Sequence, residues 1–191
     1  DFGAALVAAG RWRRHAERAT FWAQIAYARQ EEDTCRLNLK QLTPAEHRAR
    51  LPVYLADLKA VAGPDVIAGQ GPKLAMWHAY ALGEYREALL AALKDEVPAS
   101  YNQFLIAESY ARLGEHEKAV EWYRRLLTKP DEEIIPTIFI RTRLRLGDAL
   151  QALGRHDEAR AAYASFVAAW GNADRRLPEV ERARQRLGTA P

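Results

Sequence analysis

Apolar residues in the second half of the chain recur at three- and four-residue intervals. Ile106, Tyr110 and Leu113 form one stripe, and Leu146, Leu150 and Leu153 form another. This spacing predicts amphipathic helices with one buried face. Each stripe runs into a glycine, Gly114 or Gly154, a residue that tolerates the left-handed conformation just past a helix end. A second helix is predicted within a few residues. It carries Glu117 in one case, and Asp157 and Glu158 in the other, in the first turn, where negative charge suits the helix dipole. Ala107 and Gly147 before the glycines, with Ala119 and Ala159 after them, let two antiparallel axes approach closely. Tyr123 and Tyr163 fill the space beside them, and Pro130 ends the earlier hairpin.

Elsewhere the pattern is less regular. Residues 11–30 predict one long helix with Trp12, Ala16, Ala19, Trp22 and Ala26 along one side. Thr43-Pro44-Ala45-Glu46 has the form of a capping box with Pro at the first helical position. The helix it opens has Leu51, Leu55, Leu58 and Ala62 on its apolar face, a kink at Pro52, and a stop at Gly63-Pro64. Residues 63–72 read as a turn-rich connector. Pro178 starts a last helix that turns Val180, Ala183 and Leu187 inward and Arg182, Arg184 and Arg186 outward, with Gly188 closing it. That is the build of a solubilising cap.

The hairpins repeat. Ala-Leu-Gly-Glu-Tyr at 81–85, Arg-Leu-Gly-Glu-His at 112–116 and Ala-Leu-Gly-Arg-His at 152–156 place Gly83, Gly114 and Gly154 at intervals of 31 and 40 residues. Around the last two, Ile106 matches Leu146, Tyr110 matches Leu150, Leu113 matches Leu153, and the small and aromatic positions coincide as well. This pattern resembles the tetratricopeptide repeat family, whose unit is about 34 residues long. Residues 100–130 and 140–170 carry the resemblance. Residues 69–98 share it only in the turn and second helix (Gly83, Tyr85, Glu87, Ala88); Met76 stands at the small-residue position, so this repeat is degenerate. An insertion at 129–136 accounts for the longer interval. A partial repeat is read around Gly10, with Phe2, Gly3, Leu6 and Ala9 before it, Trp12 and Ala19 after it, and His15 where Ala is expected. With Asp1 a poor translation start, that reading has the chain opening inside a hairpin, as a piece of a longer array or a processed protein.

The resemblance implies an all-α, right-handed solenoid of antiparallel hairpins. It is divided into a divergent helical region at 1–68, repeats over 69–171 and a capping helix at 172–191. It further implies a concave groove lined by the first helix of each hairpin. The groove positions are Lys73, Trp77 and Tyr80 in the first hairpin and Tyr101, Phe104 and Glu108 in the second. The third contributes Arg141, Leu144, Arg145, Asp148 and Gln151. Aromatics and Arg dominate binding hot spots, while Trp77 and Phe104 can equally be buried between hairpins. The family's clamp for C-terminal carboxylates pairs Lys or Arg with Asn; here Trp77, Glu108 and Asp148 replace Asn, which argues against that ligand. Residues 163–174 and 177–180 further resemble the closing segment of repeat regions in bacterial signalling proteins. The implied function is a non-catalytic scaffold for a protein or peptide partner, within a larger protein or complex. The alternatives are a regulatory or sensory segment of a bacterial signalling enzyme, a structural subunit, or a nucleic-acid-binding repeat.

Composition supports this picture more than it redirects it. Among 191 residues there are 36 Ala and 22 Arg against 6 Lys, with a single Cys and a single Met, a helix-forming balance. The lone Cys35 excludes an internal disulfide and a multi-cysteine zinc site. A net charge of +3, spread along the chain, makes no stripe for a phosphate backbone. The histidines at 15, 47, 78, 116 and 156 share no ligand spacing, and His116 and His156 take equivalent turn positions with Tyr85 and Trp12, where packing of a planar ring explains all four. Gly69-Gln-Gly71-Pro-Lys73 lacks the spacing of a phosphate loop, no nucleophile motif occurs, and no cofactor is expected. The acids at 31–33 and 131–133 read as solvated loop runs. Arg141, Arg143 and Arg145 have two readings, a salt-bridged solvated face or a groove border that meets an acidic partner. No apolar stretch reaches the ~20 residues of a membrane span, and a cytoplasmic setting is expected, with export after upstream cleavage as the alternative.

Overall fold

The computed structural model describes residues 2–19, 22–61, 64–94, 100–128, 136–170 and 177–188. All regular structure among them is helical, and within each of two compact units helices pack on their neighbours as in a tetratricopeptide-like array of hairpins. The chain divides into two compact units, Asp1–Glu96 and Val97–Pro191. The hairpin around Gly83 therefore groups with the N-terminal helices.

In the first unit, α1 (Phe2–Ala19) and α2 (Trp22–Asn38) pack against each other. Residues 11–30 are thus parts of two helices rather than one long helix. The Arg13 Nε, 2.7 Å from Glu32 Oε2, ties them together. Gly10 lies inside α1 and is not among the glycines with positive φ, so it makes no hairpin turn and the partial repeat there does not form. The acidic run at 31–33 is also helical. Glu32 and Asp33 are buried in α2, because Arg13, Arg36 and Tyr54 supply partners that a loop reading does not foresee. The run at 131–133, Pro130 and most of the insertion at 129–136 lie outside the described residues.

The capping box forms as expected. The Thr43 hydroxyl accepts from the Glu46 N–H at 3.2 Å, and the Glu46 carboxylate accepts from the Thr43 N–H at 2.8 Å. It opens only a short helix, α3 (Pro44–Arg48). A turn at Ala49–Arg50 precedes α4 (Leu51–Val61), so Pro52 sits in a first turn, where its missing N–H has no role, instead of kinking a longer helix. The connector expected at 63–72 is mostly helix as well: α5 runs Pro64–Ala81 with Pro72 inside it. An interior proline costs roughly 3 kcal/mol. Leu74 and Met76, both essentially fully buried just beyond it, provide compensating burial. Ala26, Tyr54, Leu58 and Leu74 form the core between α2, α4 and α5, and α6 (Tyr85–Ala92) pairs with α5.

The second unit contains α7 (Ser100–Arg112), α8 (His116–Thr128), α9 (Pro136–Ala152), α10 (His156–Trp170) and α11 (Pro178–Leu187). Helices α7–α8 and α9–α10 are the two predicted hairpins. At Gly83, Gly114 and Gly154 φ is 77°, 78° and 73°. In each case the glycine N–H and the next N–H bond back to carbonyls of the preceding helix, as in Glu115 N to Tyr110 O at 2.9 Å and Arg155 N to Leu150 O at 2.9 Å. This satisfies carbonyls that the helix end would otherwise leave open. Gly147 is required for a different reason: a Cβ there would lie 2.6 Å from the Tyr163 ring. Ala107, Ala119, Ala159, Tyr123, Tyr163 and Phe166 belong to one continuous core, which Val180 and Ala183 of α11 extend. Gly188, φ 70°, closes α11.

Candidate functional site

The tyrosines that fill the two hairpins of the second unit determine the polar chemistry on α7 and α9. A buried phenol needs a hydrogen-bond partner. Tyr123 donates to Glu108, and Tyr163 donates to Asp148 at 3.0 Å. Glu108 and Asp148 both stand six residues before the turn glycine, so one interaction occurs twice at the same register. Burial and the adjacent carboxylate both raise the Tyr163 pKa, which keeps its proton in place as donor.

These carboxylates organise the arginines. Arg145 Nε lies 3.3 Å from Glu108, and its amino group lies 3.5 Å from Asp148. Burial works against the Arg145 charge, but Glu108 and Asp148 more than offset it and raise its pKa. Arg182 of the last helix reaches Asp148 at 3.6 Å, so it does more than solubilise the cap. A cleft of about 170 Å³ opens here, lined by Glu108, Arg112, Tyr123, Arg145 and Asp148 among others. The sequence gives notice of Tyr123 only as core and of Arg112 not at all, because their convergence depends on how α7, α8 and α9 stack.

The remaining expected groove residues fall into several environments. Tyr101 is exposed, Phe104 is half-buried against Tyr123 with ring centroids 6.3 Å apart, and Gln151 is half-buried. Leu144 is 1% exposed and belongs to the core of the second unit, so it does not line a groove. Glu108, at 4% exposure, is held by Tyr123 and Arg145. Arg141, largely exposed, pairs with Glu179 at 3.3 Å. Arg143 stacks on Phe139, 4.2 Å from guanidinium carbon to ring centre, and donates to Ser165 at 2.9 Å. All three arginines thus have partners within the chain, acids for Arg141 and Arg145 and a ring and a hydroxyl for Arg143.

Lys73, Trp77 and Tyr80 lie on α5 in the first unit, all half-buried. Trp77 packs on Tyr27 of α2 with centroids 4.9 Å apart, and Tyr80 meets Tyr85 edge-on at 5.5 Å. At the turn positions His116 is half-buried but His156 is exposed, so ring packing does not account for His156. His47 and His78 are brought together instead. Their rings stack at 4.5 Å and 12°, fully buried. A separation of 31 residues in sequence carries no sign of this. Gly69–Lys73 is helical and presents no phosphate loop. Cys35 is buried, and burial followed by Glu31 and Glu32 raises its pKa, which suppresses thiolate chemistry. No described helix is long and apolar enough to cross a membrane.

These paired helices, with small residues at their crossings and a tyrosine wedged alongside, define the second unit as a helical-hairpin repeat. Two family profiles, each described as tetratricopeptide repeat, match residues 101–128 and 141–173, which are the α7–α8 hairpin and the α9–α10 hairpin. Residues 101–128 and 141–173 are thus assigned to the tetratricopeptide repeat family. Repeats of this family are in general protein–protein interaction scaffolds and generally non-catalytic, with other proteins as partners. No curated protein matches the chain.

Proposed function

We propose that the chain is a non-catalytic scaffold that holds a protein or peptide segment against the face of α7 and α9, as one part of a larger protein or complex. The observation that carries this reading is the cleft beside Arg145. Its guanidinium is oriented by Glu108 and Asp148 before any partner arrives, and exposed Tyr101 and half-buried Phe104 and Gln151 belong to the same two helices. A pre-ordered Arg beside aromatic surface loses little freedom on binding. On the first unit, Lys73, Trp77 and Tyr80 carry the same reading for the α5 face. Leu144 drops out of the set, and Glu108 serves by positioning Arg145.

Site-specific photo-crosslinking tests this. A crosslinker at position 101 or 151 is expected to capture a defined partner that one at exposed Glu121, on α8, does not capture. Arg145→Gln is expected to weaken capture at both groove positions while the hairpins still melt cooperatively. If position 121 captures the same species as efficiently, the α7–α9 face is not the binding surface.

A further inference from the structure

A second cleft of the second unit lies between α8, α9 and α10 and shares no lining residue with the one beside Arg145. It measures about 310 Å³, against about 170 Å³ there. Its body is apolar, formed by Leu127, Leu146, Leu150, Ala161 and Ala162. Its ends are polar: Arg143 bonded to Ser165 at one, and the ion pair of Arg124 with Glu158 at the other. We propose that this cleft binds a small carboxylic acid with an aliphatic body, the carboxylate on Arg143 and the chain over the leucines.

Arg143 is held in place without an acid. Its Nε donates to the Ser165 hydroxyl at 2.9 Å and an amino group donates to the Phe139 carbonyl at 3.2 Å. The guanidinium carbon stands 4.2 Å from the centre of the Phe139 ring. These contacts fix the plane of the group and use two of its five N–H donors. Among the described residues no carboxylate pairs with it, whereas Arg141 and Arg145 of the same helix both have acids. Burial accordingly lowers the Arg143 pKa with nothing to offset it. Glu158, the acid in the cleft wall, already accepts from Arg124 and from Arg155. An incoming carboxylate matches the planar donors that Arg143 has left. Glu158 and Ser165 are seven residues apart on α10, so about 10 Å separates the two ends. Between them Leu146 and Leu150 form a floor that is less than a tenth exposed, and the small Ala161 and Ala162 leave the space above it open. A site of this volume stands at the lower end of the range for small ligands, about 300–1,000 Å³. The ion pair spanning α8 and α10 bounds the chain length, which favours a short free acid over a continuous peptide.

Calorimetric titration of the full chain at constant ionic strength tests this, with octanoate, hexanoate, 1-octanol and octylamine as probes. Octanoate is expected to saturate a single site. Hexanoate, shorter by two methylenes, should bind about four- to sixteenfold more weakly. Octanol and octylamine, which offer Arg143 no anion, should bind at least about tenfold more weakly. Arg143→Gln should reduce octanoate affinity to that of octanol. Ala161→Phe, at an exposed position of the wall, should weaken octanoate and octanol alike, and it keeps the test open if Arg143→Gln disturbs the fold. Arg125→Gln, outside the cleft on the same α8, should bind octanoate as the parent does. The proposal is overturned if octanoate does not saturate, if octanol binds as tightly as octanoate, or if Arg143→Gln and Ala161→Phe both bind like the parent. Tighter binding of an acetylated, amidated Leu-Glu peptide than of octanoate would also overturn it, and would assign the cleft to a segment of a partner protein.

Discussion

The hairpin α5–α6 of the first unit and the hairpins α7–α8 and α9–α10 of the second close through the same left-handed glycine turn, yet they place their bulk oppositely. In the second unit the first helix offers a small residue, Ala107 or Gly147, and the second helix returns a large one, Tyr123 or Tyr163. In the first unit the same two register positions hold Met76 and Ala92, both buried, so the volume has moved across the helix pair. What looks like degeneracy in the repeat is an exchange that conserves volume, the kind of change packed cores tolerate best. It also has a chemical consequence. A tyrosine brings a hydroxyl that needs an acceptor, and the acceptors Glu108 and Asp148 then recruit Arg145 and Arg182. A methionine makes no such demand. In the first unit the position corresponding to Glu108 is Trp77, whose ring packs on Tyr27. The charge on the α7–α9 face is therefore a by-product of how the second unit fills its core.

The strongest way to break this comparison is Tyr123→Ala. It removes a fully buried ring and leaves Glu108, 4% exposed, with Arg145 as its remaining partner. Large aromatic deletions of this kind cost about 3–5 kcal/mol. Denaturant unfolding followed at α9–α10 amides should show the second unit destabilised on that scale. A loss under 1 kcal/mol would mean the tyrosine is not the keystone of its hairpin.

The two units should also part company in acid. Burial is the largest cause lowering the His47 pKa, to about 4, with stacked His78 and Arg50 adding to it and Asp33 and Glu84 opposing; His78 is lowered as well, chiefly by burial. The unfolded chain takes up these protons near the ordinary value of about 6.5. Between these values the unfolded state binds more protons, so stability present above pH 6.5 is lost as pH falls toward 4. Each histidine contributes up to about tenfold per pH unit to the folding equilibrium. In the second unit the histidines are half-buried or exposed, His116 and His156. Protection of α3–α5 amides, with exchange rates divided by the intrinsic rate at each pH, should therefore fall between pH 7 and 5 by a factor that α9–α10 do not share. An equal fall in protection in both units would rule out the histidine pair as the cause.

The exchange of bulk can be tested directly. Ala107→Met alone forces a long side chain against Tyr123 and should cost about 1–3 kcal/mol by overpacking. Combined with Tyr123→Ala it recreates the Met76–Ala92 arrangement. The double variant is then expected to be more stable than the sum of the single losses predicts, by about 1 kcal/mol or more. Additive losses would show that the first unit's arrangement depends on its own surroundings instead.

The hairpin turns, the small-residue crossings, the capping box at Thr43 and the inward face of α11 were all legible in the sequence, because each depends on residues close along the chain. The failures share a cause too. Gly10 and Pro72 are local breakers overridden by packing, Gly10 within α1 and Pro72 between buried neighbours of α5. Glu32 and Asp33 look like solvated charge until Arg13 and Tyr54 arrive from 19 and 21 residues away. Leu144 shows the same limit from the other side. Its register marks it for the groove, but α9 is rotated so that it joins the core while Arg145 beside it remains partly exposed. Periodicity tells which residues share a face, and only the neighbouring helix tells which way that face points.

The finest test compares two matched hydroxyls. Tyr123→Phe and Tyr163→Phe each delete one hydrogen bond and leave the ring volume nearly intact. The acceptors differ: the Glu108 side chain is 5% exposed, whereas Asp148 is 32% exposed and has Arg145 and Arg182 within reach. A buried carboxylate that loses a donor bears its desolvation cost, about 1–3 kcal/mol, whereas a partly wet one recruits water and loses about 0.5–1.5 kcal/mol. Tyr123→Phe should therefore lower the stability of the second unit more than Tyr163→Phe in paired denaturant titrations. It should also loosen Arg145, seen as faster exchange of its guanidinium protons, while Tyr163→Phe should leave that exchange nearly unchanged. If the two variants prove equal on both measures, the repeated tyrosine–carboxylate pair is only a packing motif, and the orientation of Arg145 comes from elsewhere.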